Sequence, residues 1–352
     1  MEQNNQIIFS KKDTATTKGV AVLLLCLHHL YWQDVSYPVV ISGTNFHQLL
    51  VVWTKVCVTL FVMISGYGLT KSFSGGKRNY KQFTLEHLKK ILVSYWWVYI
   101  PMLVLSFFFH FQGTPIVIYG GLNLGGIKNF LIDLFGIRAF FYTPTLNQTW
   151  WYIEAILVLY ILFPFIYWLM NHGFSVLLVS VSAIPTVAIA FHLYWNPVSQ
   201  TEREVYWILP FVLGMLLAKY DLLSKIKGVI VSHKVSSLVV IGFGTLCSMY
   251  LRAKLLLLPD SLYGFFIILF CIWMNVVLPE FVSKILGTFG KYSLNIFLMH
   301  SFLYYYFYPC ASLVSKIPNA YGIRYVIFVV LSLCIAAVWD GVKKFLTEKK
   351  MA

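Results

Sequence analysis

Charge is scarce in this sequence: 11% of its 352 residues are Asp, Glu, Lys or Arg, whereas 59% are hydrophobic. No fold of such a chain could set enough polar surface around a water-bounded core, which excludes an ordinary soluble domain. Acidic residues are the scarcest, 13 against 27 Lys and Arg. The basic excess lies in short segments between apolar runs, the bias of cytoplasmic loops in membrane proteins, so no nucleic-acid partner is expected. Cysteine is also sparse. Cys26, Cys57, Cys247, Cys271, Cys310 and Cys334 stand at no metal-ligand or redox spacing and read as small core residues, with no metal expected. P-loop, dinucleotide fingerprint, HExxH and serine-hydrolase elbow are all missing from usable contexts. The SGYG stretch at 65–68 closes an apolar run instead of joining strand to helix. Gly66 and Gly68 therefore read as permitting close backbone approach, by helix packing or by a ligand. The N-x-T pattern at 147–149 is given no weight. No cleavable signal peptide is visible, so the first apolar run is expected to stay in the mature protein. Internal repeats of solenoid or propeller length are likewise missing.

What is present is a succession of apolar runs. A bilayer core of ~30 Å takes about 20 helical residues, and the chain can be cut into ten runs: 18–39, 49–70, 91–111, 150–170, 174–194, 206–219, 236–251, 261–278, 292–308 and 321–339. The stretch 127–142 is an extra, interfacial or re-entrant. Threaded in order, the densest basic groups (11–18, 71–90, 219–234, 343–350) fall on one face, which should be cytoplasmic. The expected fold is all-α: a polytopic transmembrane helical bundle of about ten spans, both termini cytoplasmic. It would form a single integral membrane domain over 1–352, with a cytoplasmic tail at 1–17 and a basic one at 341–352. Aromatic residues make up 18%, and clusters such as Tyr95 to Tyr99, Trp150 to Tyr152 and Tyr304 to Tyr308 read mostly as interface anchors.

A titratable group inside a span costs about 3 kcal/mol to insert, so each asks for an explanation. On a helix Lys18 and His29, eleven residues apart, point the same way about 16 Å apart along the axis, and His28 lies about 80° off that line. His29 would face whatever cavity Lys18 faces; the bland alternative is a pair of histidines hydrogen-bonded between helices. Glu154, a turn inside its span, is the orienting partner of a histidine, a group touching substrate, or a carboxyl buried neutral. His300 by itself reads as a packed core histidine. Asp34, near the outer end of the first span, could hydrogen-bond an imidazole or be solvated.

Four segments together resemble the membrane acyltransferase-3 family, polytopic bacterial enzymes that O-acylate cell-envelope and exported sugars. In KGVAVLLLCLHHL, Lys18 and His29 match a basic residue, ten intervening residues and a histidine. LFVMISGYGL is similar to the family's Phe-rich segment ending in Ser-Gly, here Ser65 and Gly66. WYIEAILVLYILFP keeps the spacing of Trp151, Tyr160 and Pro164, and GKYSLNIFLMH looks like the late helix ending in His300. Members usually carry Arg where this chain has Lys18, which removes a bidentate fork. Many also carry an acidic pair further along the Trp151 helix than Glu154.

The resemblance implies a multi-pass enzyme of the bacterial plasma membrane that transfers an acyl group, most often acetyl from cytoplasmic acetyl-CoA, to a sugar hydroxyl of a cell-envelope or exported glycan or a lipid-linked sugar. His29 would be the general base, with Glu154 in the catalytic set. Lys18, Lys89, Lys90, Ser65 and Gly66 would hold CoA, and Asp34, Trp151 and His300 would lie on the acceptor side. Neutral imidazole has suitable basicity for a hydroxyl attacking a thioester. An acyl-imidazole intermediate on His29 is the competing mechanism. The rival class is a transporter or flippase of a small solute or lipid-linked sugar, against which stands the lack of a clear correspondence between the two halves.

Overall fold

The computed structural model describes residues 8–31, 40–41, 44–75, 79–190, 205–255, 258–318 and 322–348. These are helical almost throughout; Val40–Ile41 and Thr44–Asn45 form a short antiparallel pair, β1 and β2. Among the described residues six helical stretches are long and apolar enough to cross a membrane: Leu49–Ser74, Tyr80–Phe109, Gln148–Asn171, Lys234–Leu255, Asp260–Val277 and Ile323–Glu348. The chain divides into two compact units. Unit 1 takes Met1–Arg78, Pro164–Pro197 and Val205–Lys291, and unit 2 takes Asn79–Phe163, Val198–Glu204 and Tyr292–Ala352.

Unit 1 opens with α1 (Lys11–Tyr31). Ser10 and Asp13 form a capping box: the Asp13 carboxylate accepts from the Ser10 backbone at 2.8 Å, and the Ser10 hydroxyl accepts from the Asp13 backbone at 3.3 Å. Asp13 also accepts from Lys227 and Asn275 at 2.7 and 2.9 Å. The helix thus begins seven residues before the expected span edge. Much of the expected tail at 1–17 is packed structure, with Asp13, Thr16 and Thr17 wholly buried.

The next elements are α2 (Phe46–Thr54) and α3 (Cys57–Ser74). Then come α9 (Ser175–Ala190), α10 (Ile208–Lys219), α11 (Leu222–Ser232), α12 (Lys234–Leu255) and α13 (Asp260–Val277). Two glycine contacts set the frame reciprocally. A Cβ on Gly66 of α3 would run into the Phe211 carbonyl of α10, and one on Gly214 of α10 into the Met63 carbonyl of α3. Backbone cannot yield as a flexible side chain can, so both helices need glycine where they touch. On α12 the buried residues Ile241, Gly244, Ser248 and Arg252 form one helical stripe, while Val235, Val239, Phe243 and Leu246 are exposed. An apolar outer face around a sparse inner stripe is what lipid as solvent selects.

Unit 2 is built on α4 (Tyr80–Phe109), 30 residues long and capped by the Asn79 side chain, which accepts from the Lys81 backbone at 3.0 Å. That cap starts the helix eleven residues before the expected span. The chain then folds through α5 (Pro115–Tyr119), α6 (Leu124–Leu134) and the four-residue α7 (Arg138–Phe141), followed by a 3-10 turn at Gln148–Trp150. The unit ends in α15 (Tyr308–Lys316) and α16 (Ile323–Glu348). Helix α16 runs through most of the expected C-terminal tail, with Lys344 paired to Asp340 at 3.1 Å. Two helices pass from one unit to the other: α8 (Trp151–Asn171) and α14 (Glu280–Ser301), the latter continuing as a π-helix at Phe302–Tyr306. Helix α14 begins twelve residues before the expected ninth span.

Within the aromatic clusters, Tyr95, Tyr99 and Trp150 are core residues instead of interface anchors. Tyr95 and Tyr99 are fully buried and Trp150 is nearly so. Each polar tip finds an acceptor inside the unit: the Tyr95 hydroxyl donates to the Asp133 carbonyl at 2.9 Å and the Trp150 indole to the Leu298 carbonyl at 3.0 Å. A satisfied tip removes the reason to sit at the interface.

Candidate active site

In unit 1 the structure separates the two adjacent histidines. The helix is continuous from Lys11 to Tyr31, so Lys18 and His29 do sit on one unbroken α1, both partly buried. His28 is buried, and its Nδ1 lies 2.9 Å from the Val51 carbonyl of α2. A carbonyl can only accept, so that nitrogen donates and the ring ties α1 to α2. The two imidazoles meet edge to face at 4.9 Å. Asp34 lies outside the described residues. Ser65 is partly buried, while Gly66 is taken up by the crossing with α10; around Gly68 a Cβ would meet nothing within 4 Å.

Unit 2 holds the remaining expected residues. Glu154 is 1% exposed, and its two oxygens accept from the backbone N–H groups of Ala139 at 2.6 Å and Phe140 at 2.8 Å. Those are donors of the first turn of α7, so the carboxylate caps a helix too short to hold itself. His300 is fully buried, with Nδ1 donating to the carbonyls of Phe297 at 2.8 Å and Ile296 at 3.2 Å, and its ring stacks against Tyr304 with centroids 6.1 Å apart. Trp151 is partly buried beside Tyr152. Lys89 and Lys90 lie exposed in the third turn of α4, not at its start, with Lys89 on an open groove also lined by Lys81 and Glu86.

Around α6 the structure builds a polar interior. Asp133 is 1% exposed and accepts from the Tyr119 hydroxyl at 2.6 Å and the Leu146 backbone at 3.1 Å. Since Tyr119 gives its proton to Asp133, Tyr99, 2.8 Å away, donates to Tyr119. Burial pushes the Asp133 carboxyl up to about 6, against the lowering pull of Tyr119, Thr145, Leu146 and Arg138. Asn147, wholly buried, donates to Ser301 at 2.6 Å and accepts from the Thr149 backbone at 2.9 Å, so the 147–149 pattern is a buried turn. An acid in the apolar run 127–137 was the available signal for Asp133: it is a titratable residue where lipid-like surroundings ask for a reason.

Apolar helices with lipid-suited outer faces make this a multi-pass membrane protein. The chain matches the family model described as an acyltransferase domain over residues 16–339, nearly its whole length, and it belongs to that acyltransferase-3 family. Comparison with curated proteins and with solved structures gave no match.

Proposed function

We propose that this protein is an O-acyltransferase of the bacterial plasma membrane that moves an acyl group, acetyl in the simplest case, from cytoplasmic acyl-CoA to a sugar hydroxyl of a cell-envelope or exported glycan. The observation that carries the proposal is the division of labour on α1: His28 is committed to the Val51 carbonyl, while partly buried His29 stands eleven residues along the same helix from Lys18. In the reaction the hydroxyl oxygen attacks the thioester carbonyl and His29 takes the hydroxyl proton. The C–S bond then breaks, and the departing thiolate receives a proton to leave as CoA thiol. Lys18 supplies positive charge on the cytoplasmic side of the same helix, and the exposed Lys89 and Lys90 give α4 a cationic turn suited to an anionic donor. Glu154 acts by holding α7 in place, a positioning role.

The test is detergent-purified protein given labelled acetyl-CoA with and without glycan acceptors. Acceptor-dependent release of CoA thiol with label transferred as an alkali-labile ester is expected. Solute or lipid-linked sugar movement in proteoliposomes without thiol release would overturn the proposal in favour of transport.

A further inference from the structure

In unit 1, well along the chain from His29, α12 ends and α13 begins on a buried ion pair. Arg252 Nε lies 2.7 Å from Asp260 Oδ1, with side-chain exposures of 3% and 5%. Such a pair is costly to desolvate and is repaid only when the remaining lone pairs find donors. Among the described residues neither carboxylate oxygen of Asp260 receives a hydrogen bond. An ionised carboxylate offers about four acceptor positions, so acceptor capacity is left over.

Thr59 on α3 shows the same deficit. Its hydroxyl is wholly buried and has no hydrogen-bond partner among the described residues. Thr17, Thr54 and Thr245, also in unit 1, satisfy theirs on the carbonyl four residues back, at 2.9, 2.7 and 2.7 Å. Helix α3 starts only at Cys57, so the carbonyl four residues before Thr59, that of Lys55, precedes the helix and instead accepts from Val58 at 3.2 Å. The hydroxyl is turned away from local bonding by where the helix begins.

Both groups line one small cavity of about 10 Å³, with Thr186 and Ser261 beside them and Tyr206 and Trp207 as walls. That is room for roughly one water-sized oxygen.

We propose that this corner is a hydroxyl subsite, and, resting on the acyltransferase reading above, that it takes a hydroxyl of the acceptor sugar. The sugar hydroxyl takes the place of that one oxygen, donating to Asp260 and accepting from Thr59, and only the hydroxyl enters the cavity. A site built to bond a hydroxyl rejects an analogue lacking it, because its own buried polar groups are then left unpaired.

The test uses full-length protein in detergent and a panel of methyl glycosides as probes, with saturable quenching of tryptophan fluorescence as the readout and radiolabelled glycoside binding as a check. At least one glycoside should bind. Thr59→Val should weaken it about tenfold, the size expected for one lost hydrogen bond at a buried group, and Thr59→Ser should restore it. CoA binding should not change in either variant. Asp260→Asn should weaken binding further, and Thr59→Val keeps the test decisive if that variant does not fold. If no glycoside binds, or if Thr59→Val shifts only thermal stability, the cavity holds a structural water only and the proposal fails. Loss of thiol release with glycoside binding intact would instead sink the acyltransferase reading.

Discussion

The 119–154 segment of unit 2 and the corner of unit 1 around Thr59 and Asp260 use buried polarity in opposite ways. In unit 2, Asp133, Asn147 and Glu154 are each gripped by two or more partners, several of them backbone groups, and the product is a set geometry for the 119–154 segment. In unit 1, His28 and Asp13 have the same kind of fixed partners, but the Thr59 hydroxyl has no hydrogen-bond partner among the described residues, and Asp260 forms its ion pair with Arg252 without a hydrogen bond at either oxygen. Buried polar groups that are mutually satisfied hold a fold together, whereas those left with bonding capacity are where a ligand gains most. On the function proposed above, the chemistry runs along α1, and the 119–154 segment of unit 2 serves as its frame.

The sharpest way to break that contrast is at the paired histidines. His29→Ala should lower acyl transfer by at least a hundredfold, about 2.7 kcal/mol in the barrier, while the protein stays inserted with unchanged thermal unfolding. His28→Ala should lower unfolding temperature through loss of the Val51 contact and retain most turnover per folded molecule. Equal residual activity in the two variants, compared at equal folded protein, would remove the distinction between them.

How far this could be seen in the sequence depends on which physical signal each residue gives. The Lys18 to His29 spacing needs only that the helix be unbroken, and α1 is continuous across it. Apolar runs located the helices because lipid leaves so little choice of composition. Helix starts were misjudged wherever a cap lies outside the apolar run: Ser10 with Asp13, and Asn79, begin α1 and α4 in polar sequence. Tyr95, Tyr99 and Trp150 misled for a different reason. An amphipathic ring near a span end looks the same whether its tip meets water or a buried acceptor such as the Asp133 carbonyl, and only tertiary structure tells the two apart. The pairing of Arg252 with Asp260 escaped notice because each reads as an ordinary residue of a short outer loop.

The next effect in size concerns Gly66, where the sequence left helix packing and ligand contact both open. Gly66→Ala forces a Cβ into the Phe211 carbonyl and should cost about 1–3 kcal/mol, read as a lower unfolding temperature in detergent. Gly68→Ala, two residues on, meets nothing within 4 Å and should change the unfolding temperature little, with the alanine's helix propensity in its favour. Full stability of Gly66→Ala together with weakened CoA binding would return this position to the donor site and would make the α3 to α10 crossing something other than a purely architectural contact.

The smallest effect is the most specific to unit 2. Asp133 titrates near 6 in the folded protein against an ordinary 3.8, and burial is the main cause. Between those two values the folded state holds a proton that the unfolded chain has released, so stability falls as pH rises through that window and levels off above it. Asp133→Asn keeps an oxygen able to accept from both Tyr119 and Leu146, which donate to the same carboxylate oxygen, and has no proton to release. Subtracting the variant's unfolding temperature from that of the protein at each pH from 4 to 7 should therefore leave a downward slope ending near 6. A flat difference would mean that the Tyr119 and Leu146 hydrogen bonds offset burial and keep the Asp133 carboxyl in its ordinary range in the interior of unit 2.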